Sequence, residues 1–512
     1  YIGKVNNLDM NNKINFKFNE FYVWCTFIFL FYLLISILTP LAVNDFKWAI
    51  AHNLTVYKGL IEYTNGRYLD NLLELIAMKM SVLRYLIYAG VSLGMIYLLT
   101  MMTGKYQRRI YIVIAFILIL MMPRIIYRDT YGNFAGFFSN VPSTMLSILI
   151  LFVVVVSIYK WEELNATWLS LFLISTLLGQ LFVENLTLYN MLILIIGNVI
   201  FCIKHRHINY YLIMGFMLSL IGGMLMFINP IYISIYRGGN EYLRFSDNQG
   251  LKHKILHTIF KELPEYIFFN QYLILTLIAL IMIYLLFKNA FFNHWILRWK
   301  VVLVISIAIL PFYKFFIYDF LQFYKLKGSL SVALLNFMIC GWFYIALFIA
   351  TYVIFKTQLV RMLGYYTLGS ILLVTVPLLL VSPITPGNFY TNYVLWVLYL
   401  LLLMTQCSVN MKSILIGLRT LALGLSMIFI VTFGMIYFTH IQRLHSIEHQ
   451  LDTQHIKHVV VLEKLPFENM LNKVTPSDDI QHNLFKIYYD IPQNIKLKIV
   501  PYGSNMAKLE GD

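Results

Sequence analysis

The sequence predicts an all-α polytopic membrane protein of about 13 transmembrane helices, with a small C-terminal α/β segment. Three observations carry this. Apolar runs of about 18 residues or more recur from end to end, each long enough to cross a bilayer core. Only 12% of the 512 residues are charged and 60% are hydrophobic, whereas a soluble globular chain carries roughly 25% charged residues. The mean hydropathy is +0.72. The net charge of +15 does not point to nucleic acid, because the basic residues are scattered through short connectors and form no single stripe. In a membrane protein the same excess holds loops on the cytoplasmic side.

Residues 1–20 read as a cytoplasmic tail. The first apolar run has no small-residue cleavage pattern after it and reads as a retained span. Spans follow at about 21–42, 82–102, 109–123, 141–159, 167–183, 187–203, 210–229, 268–287, 300–317, 331–355, 362–381, 392–408 and 414–438. With Lys13 and Lys17 placed in the cytoplasm, the connectors on that side are short and nearly all basic, among them "TGKYQRR" and "KHRHIN". The opposite face then receives 43–81, 124–140, 230–267, 318–330, 382–391 and a tail from 439 to 512. These loops are longer, aromatic and rich in Asp, Glu, Asn, Gly and Pro. The charge rule and the loop asymmetry agree on a multi-pass plasma-membrane topology with its chemistry outside.

In the 43–81 loop, apolar residues recur at spacings of three and four, which predicts two amphipathic helices on the outer surface. Asp45, in "VNDFKW", falls at the N-terminal end of the first. It reads either as a helix cap or as a general base at the membrane surface. Further along, "YTNGRYLDN" supplies Asn65, Arg67 and Asp70. Arg67 either holds a sugar or locks the loop through Glu62 or Asp70. "PRIIYRDTYGNFAGFFSNVPS" carries Arg124, Arg128 and Asp129 among aromatics. Guanidinium forks match phosphate oxygens, although interfacial arginines also snorkel. Glu184 and Asn185 interrupt an apolar stretch, where ionisable groups are costly and point to function, or mark a tight hairpin. In the 230–267 loop, Arg237 and Arg244 flank a Gly-Gly-Asn-Glu turn that could order over a substrate, while Lys252 and Lys254 read as meeting headgroups or solvent. Lys314 stands five residues before Asp319, as an internal ion pair or as a cation for a lipid phosphate.

Other chemistry is not signalled. The four cysteines, Cys25, Cys202, Cys340 and Cys407, lie in or beside apolar spans without metal spacing. There is no Walker loop. His440, His445, His449, His455 and His458 are close in sequence, but their irregular spacing reads as a solvated amphipathic helix and not as a metal site. The Asn-x-Thr sequons at Asn53, Asn165 and Asn185 read as chance, because Asn165 falls on the cytoplasmic face. No internal repeat of the transporter kind is visible.

Taken together, "NDF" (44–46), "TNGRYLDN" (64–71), "GFFSNVPS" (136–143), "FVENLT" (182–187) and "VSPITPGNFY" (381–390) resemble the GT-C superfamily of membrane glycosyltransferases, in particular its bacterial GtrC-like branch. The resemblance is architectural over the whole chain, and its motifs are short. It implies a polyprenyl-phosphate-linked sugar donor, a cell-surface glycan or teichoic acid acceptor, inversion, and no metal or other cofactor. It also implies work beside a polyprenyl-phosphate glycosyltransferase and a flippase. Asp45 takes the position of the catalytic base. Many members carry two adjacent acids there, and this chain has Asn44-Asp45. Such chemistry needs a carboxylate for the acceptor proton, expected from Asp45 with Glu184, and fixed cations for the leaving phosphate, expected from Arg124, Arg128, Arg237, Arg244 and Lys314. Arg67, Asn65, Asn185 and Asp129 are expected at the substrate. A polysaccharide polymerase, or a transporter or flippase of a lipid-linked sugar, are the rival readings.

Overall fold

The computed structural model describes residues 20–51, 65–104, 108–160, 164–237, 250–326, 328–380, 383–407, 411–453 and 459–504. Ten helices among them are long and apolar enough to cross a membrane. An eleventh crossing is made if a helix pair bent by 67°, Lys252–Phe269 with Tyr272–Lys288, counts as one span. The remaining two expected spans are short helices, Arg108–Leu120 and Ala166–Leu178.

A short helix survives here because of where it sits. In α5 (Arg108–Leu120) every residue from Ile110 to Leu120 is buried. A helix that is apolar all round belongs inside a bundle, and at about 20 Å it need not span the hydrocarbon by itself. Two more helices complete this centre: α7 (Phe134–Tyr159), most of it buried, and α17 (Tyr390–Met404), buried throughout from Tyr390 to Leu403. Around them run α1 (Glu20–Leu38), α4 (Ser81–Met102), α8 (Ala166–Leu178), α9 (Glu184–His205), α10 (Tyr210–Phe227), α13 (Tyr272–Lys288), α14 (Leu297–Phe312), α15 (Leu330–Ile354), α16 (Gln358–Leu373) and α18 (Met411–Thr453). The outward faces of α10, α14, α15 and α18 expose apolar side chains such as Met224, Ile305, Met338 and Ile428, the surface expected against lipid.

The 43–81 stretch forms α2 (Val43–Ile50) and α3 (Tyr68–Lys79). These do not lie free on a surface. Val43, Asp45, Phe46 and Trp48 of α2 are buried: the C-terminal segment closes over Val43 and Phe46, while Trp48 joins the core of the bundle. Nor does that segment begin at 439: α18 continues unbroken for 43 residues to Thr453. Its polar end then packs on a small unit in which β1 (Val459–Glu463) pairs in parallel with β2 (Lys496–Val500), with α19 (Asp479–Tyr488) between them. Gln450 of α18 satisfies the free edge of β1 by accepting from the Val461 N–H at 2.8 Å and donating to the Val461 carbonyl at 3.2 Å. Phe46 stacks on Tyr488 with ring centroids 4.4 Å apart. It shares a second apolar cluster with Ile447, Val460, Leu462 and Phe485.

Candidate functional site

The loops at the end of the bundle that carries α2 and α3 gather two groups of polar side chains, one closed and one open. The closed group centres on the first loop. Asp45 is fully buried. Its Oδ2 accepts from the Ala42 N–H and its Oδ1 from the Ala135 N–H, both at 2.8 Å. The side chain therefore caps α2 and pins it to the first turn of α7, where helical N–H groups lack partners of their own. Burial pushes its pKa up to about 6 against the opposing pull of those backbone donors and of Arg84. Of the two readings the sequence allowed, the geometry is that of the cap: the carboxylate expected to act as a base is enclosed and has both oxygens engaged.

Beside it, Asp70 and Glu74 stand one turn apart on the buried face of α3. Asp70 Oδ2 accepts from Ser139 Oγ at 2.7 Å, and its Oδ1 has no hydrogen-bond partner among the described residues. Burial raises the pKa of both carboxyls, and for Glu74 the charges of Asp70 and Asp45 raise it further. Two carboxyls enclosed this close together favour one proton between them over two charges. The folded pair binds protons that the unfolded chain releases near pH 4. Its contribution to stability is therefore greatest at acid pH and falls as pH rises through the elevated folded values. Thermal unfolding in detergent is expected to show a lower midpoint at pH 8 than at pH 5. Asp70→Asn is expected to raise the pH 8 midpoint and flatten that slope, and an unaltered slope would show that the pair does not share a proton.

Arg67, Glu184 and Tyr232 complete the closed group. Arg67 Nε lies 3.0 Å from both Glu184 oxygens, and its Nη2 lies 2.8 Å from Oε2. Tyr232, in α11 (Pro230–Tyr236), donates to Glu184 Oε1 at 2.8 Å and accepts from the Gly66 N–H at 3.2 Å. A Cβ at Gly66 would collide with the Met226 carbonyl and the Tyr232 ring, so glycine permits this close approach. Asn65 accepts from the Arg67 N–H and from Asn71 Nδ2. Arg67 does lock the first loop, but through Glu184; Asp70 is bonded elsewhere and Glu62 lies outside the described residues. Arg67, Asn65 and Glu184, expected at substrate or as base, thus spend their hydrogen bonds on one another and on the loop. Asn185 is buried, and its Oδ1 has no partner among the described residues.

The open group lies at the 67° bend. α12 (Leu251–His257) continues into π-helical turns at Thr258–Glu262 and Pro264–Phe269. Pro264 has no N–H to give and its ring displaces the preceding ladder, a standard cause of such widened turns, which occur often at functional sites. Trp396 of the central α17 holds the bend by donating to the Ile267 carbonyl at 3.3 Å. A cavity of 310 Å³ opens there, lined by His257, Phe260, Lys261, Glu262, Glu265, Tyr266, Phe269, Tyr318 and Asn336. Glu265 Oε2 accepts from Tyr318 at 2.9 Å, and its other oxygen has no partner among the described residues. Glu262 is more engaged, with Thr258 donating to it at 2.8 Å and Lys254 3.9 Å away. Lys254, expected at headgroups or in solvent, is buried.

On the other side of the bend a cavity of 260 Å³ is lined by Arg124, Asn270, Gln271, Tyr272 and Tyr393. Gln271 donates to the Tyr266 carbonyl at 3.0 Å, and its own oxygen is buried without a partner among the described residues. α6 (Arg124–Asp129) borders this second cavity through Arg124 and Ile125, and Tyr266 of the first cavity stacks on Phe389 with ring centroids 4.8 Å apart. Of the expected phosphate-binding cations, Arg124 faces a cavity. Arg128 is paired with Asp129 at 3.1 Å, so these two expected site residues partly neutralise each other. Lys314 is paired with Asp319 at 2.8 Å, with its ammonium 4.4 Å from the Tyr318 ring centroid. Arg237 is exposed at the end of α11, and Arg244 lies outside the described residues.

Sequence reading missed His257, Lys261, Glu262 and Glu265. Their signal was present: two carboxylates three residues apart, with a proline between, entering an apolar run. It also missed Glu74 and the buried Arg84, whose spacing from apolar neighbours reads as ordinary amphipathicity. Among the described residues no group of His, Cys, Asp and Glu is arranged to hold a metal ion. His440 of the histidine series is buried between Arg443 and Tyr489, and His455 and His458 lie outside the described residues. No family model, no curated protein and no solved structure matches this chain.

Proposed function

We propose that this protein is a membrane glycosyltransferase of the GT-C type. It moves a monosaccharide from a polyprenyl-phosphate donor to a cell-surface glycan at the outer face of the plasma membrane. The observation that carries the reading is the cavity at the bend. One half-free carboxylate, Glu265, two basic side chains, His257 and Lys261, and the aromatic faces of Phe260 and Tyr266 converge on it. Its flank is lipid-facing: Phe315, Phe316 and Phe320, on the π-helical turns after α14, are more than 45% exposed. A sugar on an isoprenoid phosphate needs this combination. The chain lies in lipid, the ring stacks on aromatics, the phosphate meets cations, and a carboxylate takes the acceptor hydroxyl's proton. In this reading Glu265 is the base, and Lys261, with His257 3.7 Å from Glu262 beside it, receives the phosphate. The first-loop group, Asp45 included, supports them.

One feature favours a second reading. Broken helices with polar cavities at the break also build substrate sites in transporters, which keeps a flippase of the same lipid-linked sugar as the alternative. The test uses full-length protein in proteoliposomes, with polyprenyl phosphates carrying radiolabelled sugars and a crude wall glycan. Label is expected to move to the glycan in the absence of nucleotide. Label that crosses the bilayer and never reaches glycan would favour the flippase.

A further inference from the structure

A cavity of 640 Å³ opens at the other end of the same helices, between the C-terminal ends of α7 and α9 and the start of α10. It is separate from the closed group, which uses the opposite ends of those helices, and from the cavities at the bend, which none of the three lines. Its lining includes Ser157, Tyr159, Lys160, His205, His207 and Tyr211, and among the described residues none that lines it is acidic. We propose that this cavity binds a phosphate-bearing anion, either the headgroup of an anionic phospholipid or a soluble phosphate.

Three observations support it. The first is convergence of charge. Lys204 donates to the Ile158 carbonyl at 2.9 Å and lies 3.8 Å from the Tyr159 ring centroid. His205 Nε2 is 2.8 Å from the same carbonyl; a carbonyl only accepts, so that nitrogen carries the proton. Both side chains thereby sit where α7 ends and unpaired carbonyls favour cations. Lys204 keeps two further N–H donors. The second is backbone geometry. Arg206 closes α9 in the left-handed region, at φ 55°, where glycine or asparagine is usual. The chain accepts that strain and retains a charge at the cavity's edge. The third is an orphan donor. Ser143, Ser306 and Ser370 bond the carbonyl four residues before them, the ordinary outlet for a helical serine. Ser157, 1% exposed and lining the cavity, has no partner among the described residues. A phosphate oxygen would accept from it. Basic pockets between helix ends are where membrane proteins take anionic headgroups.

Native mass spectrometry of the full-length protein in detergent tests this, with phosphatidylglycerol, phosphatidylcholine and inorganic phosphate as separate probes. Phosphatidylglycerol adducts are expected to persist and phosphatidylcholine adducts to be lost. Lys204→Gln with His207→Gln is expected to weaken the adduct roughly tenfold, and Lys204→Arg to retain it. Ser157→Ala, which leaves the helix end intact, is expected to weaken it about threefold. Binding of inorganic phosphate, or displacement of the lipid by it, would support the site and identify the soluble source. Equal retention of the two lipids with no phosphate bound, or wild-type affinity in the double variant, would overturn it. If the double variant does not fold, unchanged affinity in Ser157→Ala overturns it.

Discussion

Glu265→Gln is expected to lower sugar transfer by about 100-fold or more, the usual contribution of a positioned general base, while thermal unfolding stays at the wild-type value. Glutamine keeps the shape of the side chain and can still accept from Tyr318, so the bend is undisturbed. What it loses is the capacity to take a proton. The loss is expected in kcat with little change in KM, since the acceptor hydroxyl transfers its proton only in the transition state. Asp45→Asn provides the contrast. An amide has one accepting oxygen where Asp45 uses two, so either the Ala42 or the Ala135 N–H would face an NH₂ group inside the protein. That costs about 1–3 kcal/mol, and activity is expected to fall together with folded protein. An Asp45→Asn protein that unfolds like wild type yet transfers no sugar would return the base to the first loop, and an active Glu265→Gln protein would remove it from the bend.

The contrast follows from what a sequence can and cannot display. The apolar helices were legible because bilayer thickness imposes length and composition together, so α1, α4, α10 and α15 fall close to their expected bounds. α5 was legible as apolar but not as a buried strut, since periodicity disappears when a helix is covered all round. The first loop was legible as two helices with Asp45 at the start of one. Its closure was not, because the covering residues Val460, Leu462 and Phe485 lie more than 400 positions away. Glu184 was legible as a charge in an apolar stretch. Its partner Arg67 is 117 residues distant, and no local rule connects them. The bend was hidden for a different reason. Residues 251–267 have ordinary amphipathic composition, and a widened helical turn leaves no signature beyond Pro264.

Removing Arg67 or Glu184 singly is expected to destabilise the protein by about 2–4 kcal/mol, and removing both by clearly less than the sum. Each side chain of the pair is about a quarter exposed. A deleted partner therefore leaves a charge that is largely, but not wholly, cut off from water, somewhat below the ~3–5 kcal/mol expected of a fully buried pair. In Arg67→Ala the Glu184 carboxylate keeps only the Tyr232 hydroxyl. In Glu184→Ala the guanidinium keeps none of its three contacts to that residue. In the double variant neither charge remains, and the residual cost is lost packing with a weakened Tyr232 anchor. A double-mutant cycle on unfolding free energy isolates the coupling, which should change little between low and moderate salt because the contact is partly shielded. The same cycle distinguishes a lock from a sugar-binding role for Arg67. A residue that holds substrate would raise KM on removal and leave stability alone. A residue that ties α3 to α9 and α11 changes stability first and activity only as a consequence. Unchanged stability in both single variants would mean that Arg67 and Glu184 are kept for a ligand.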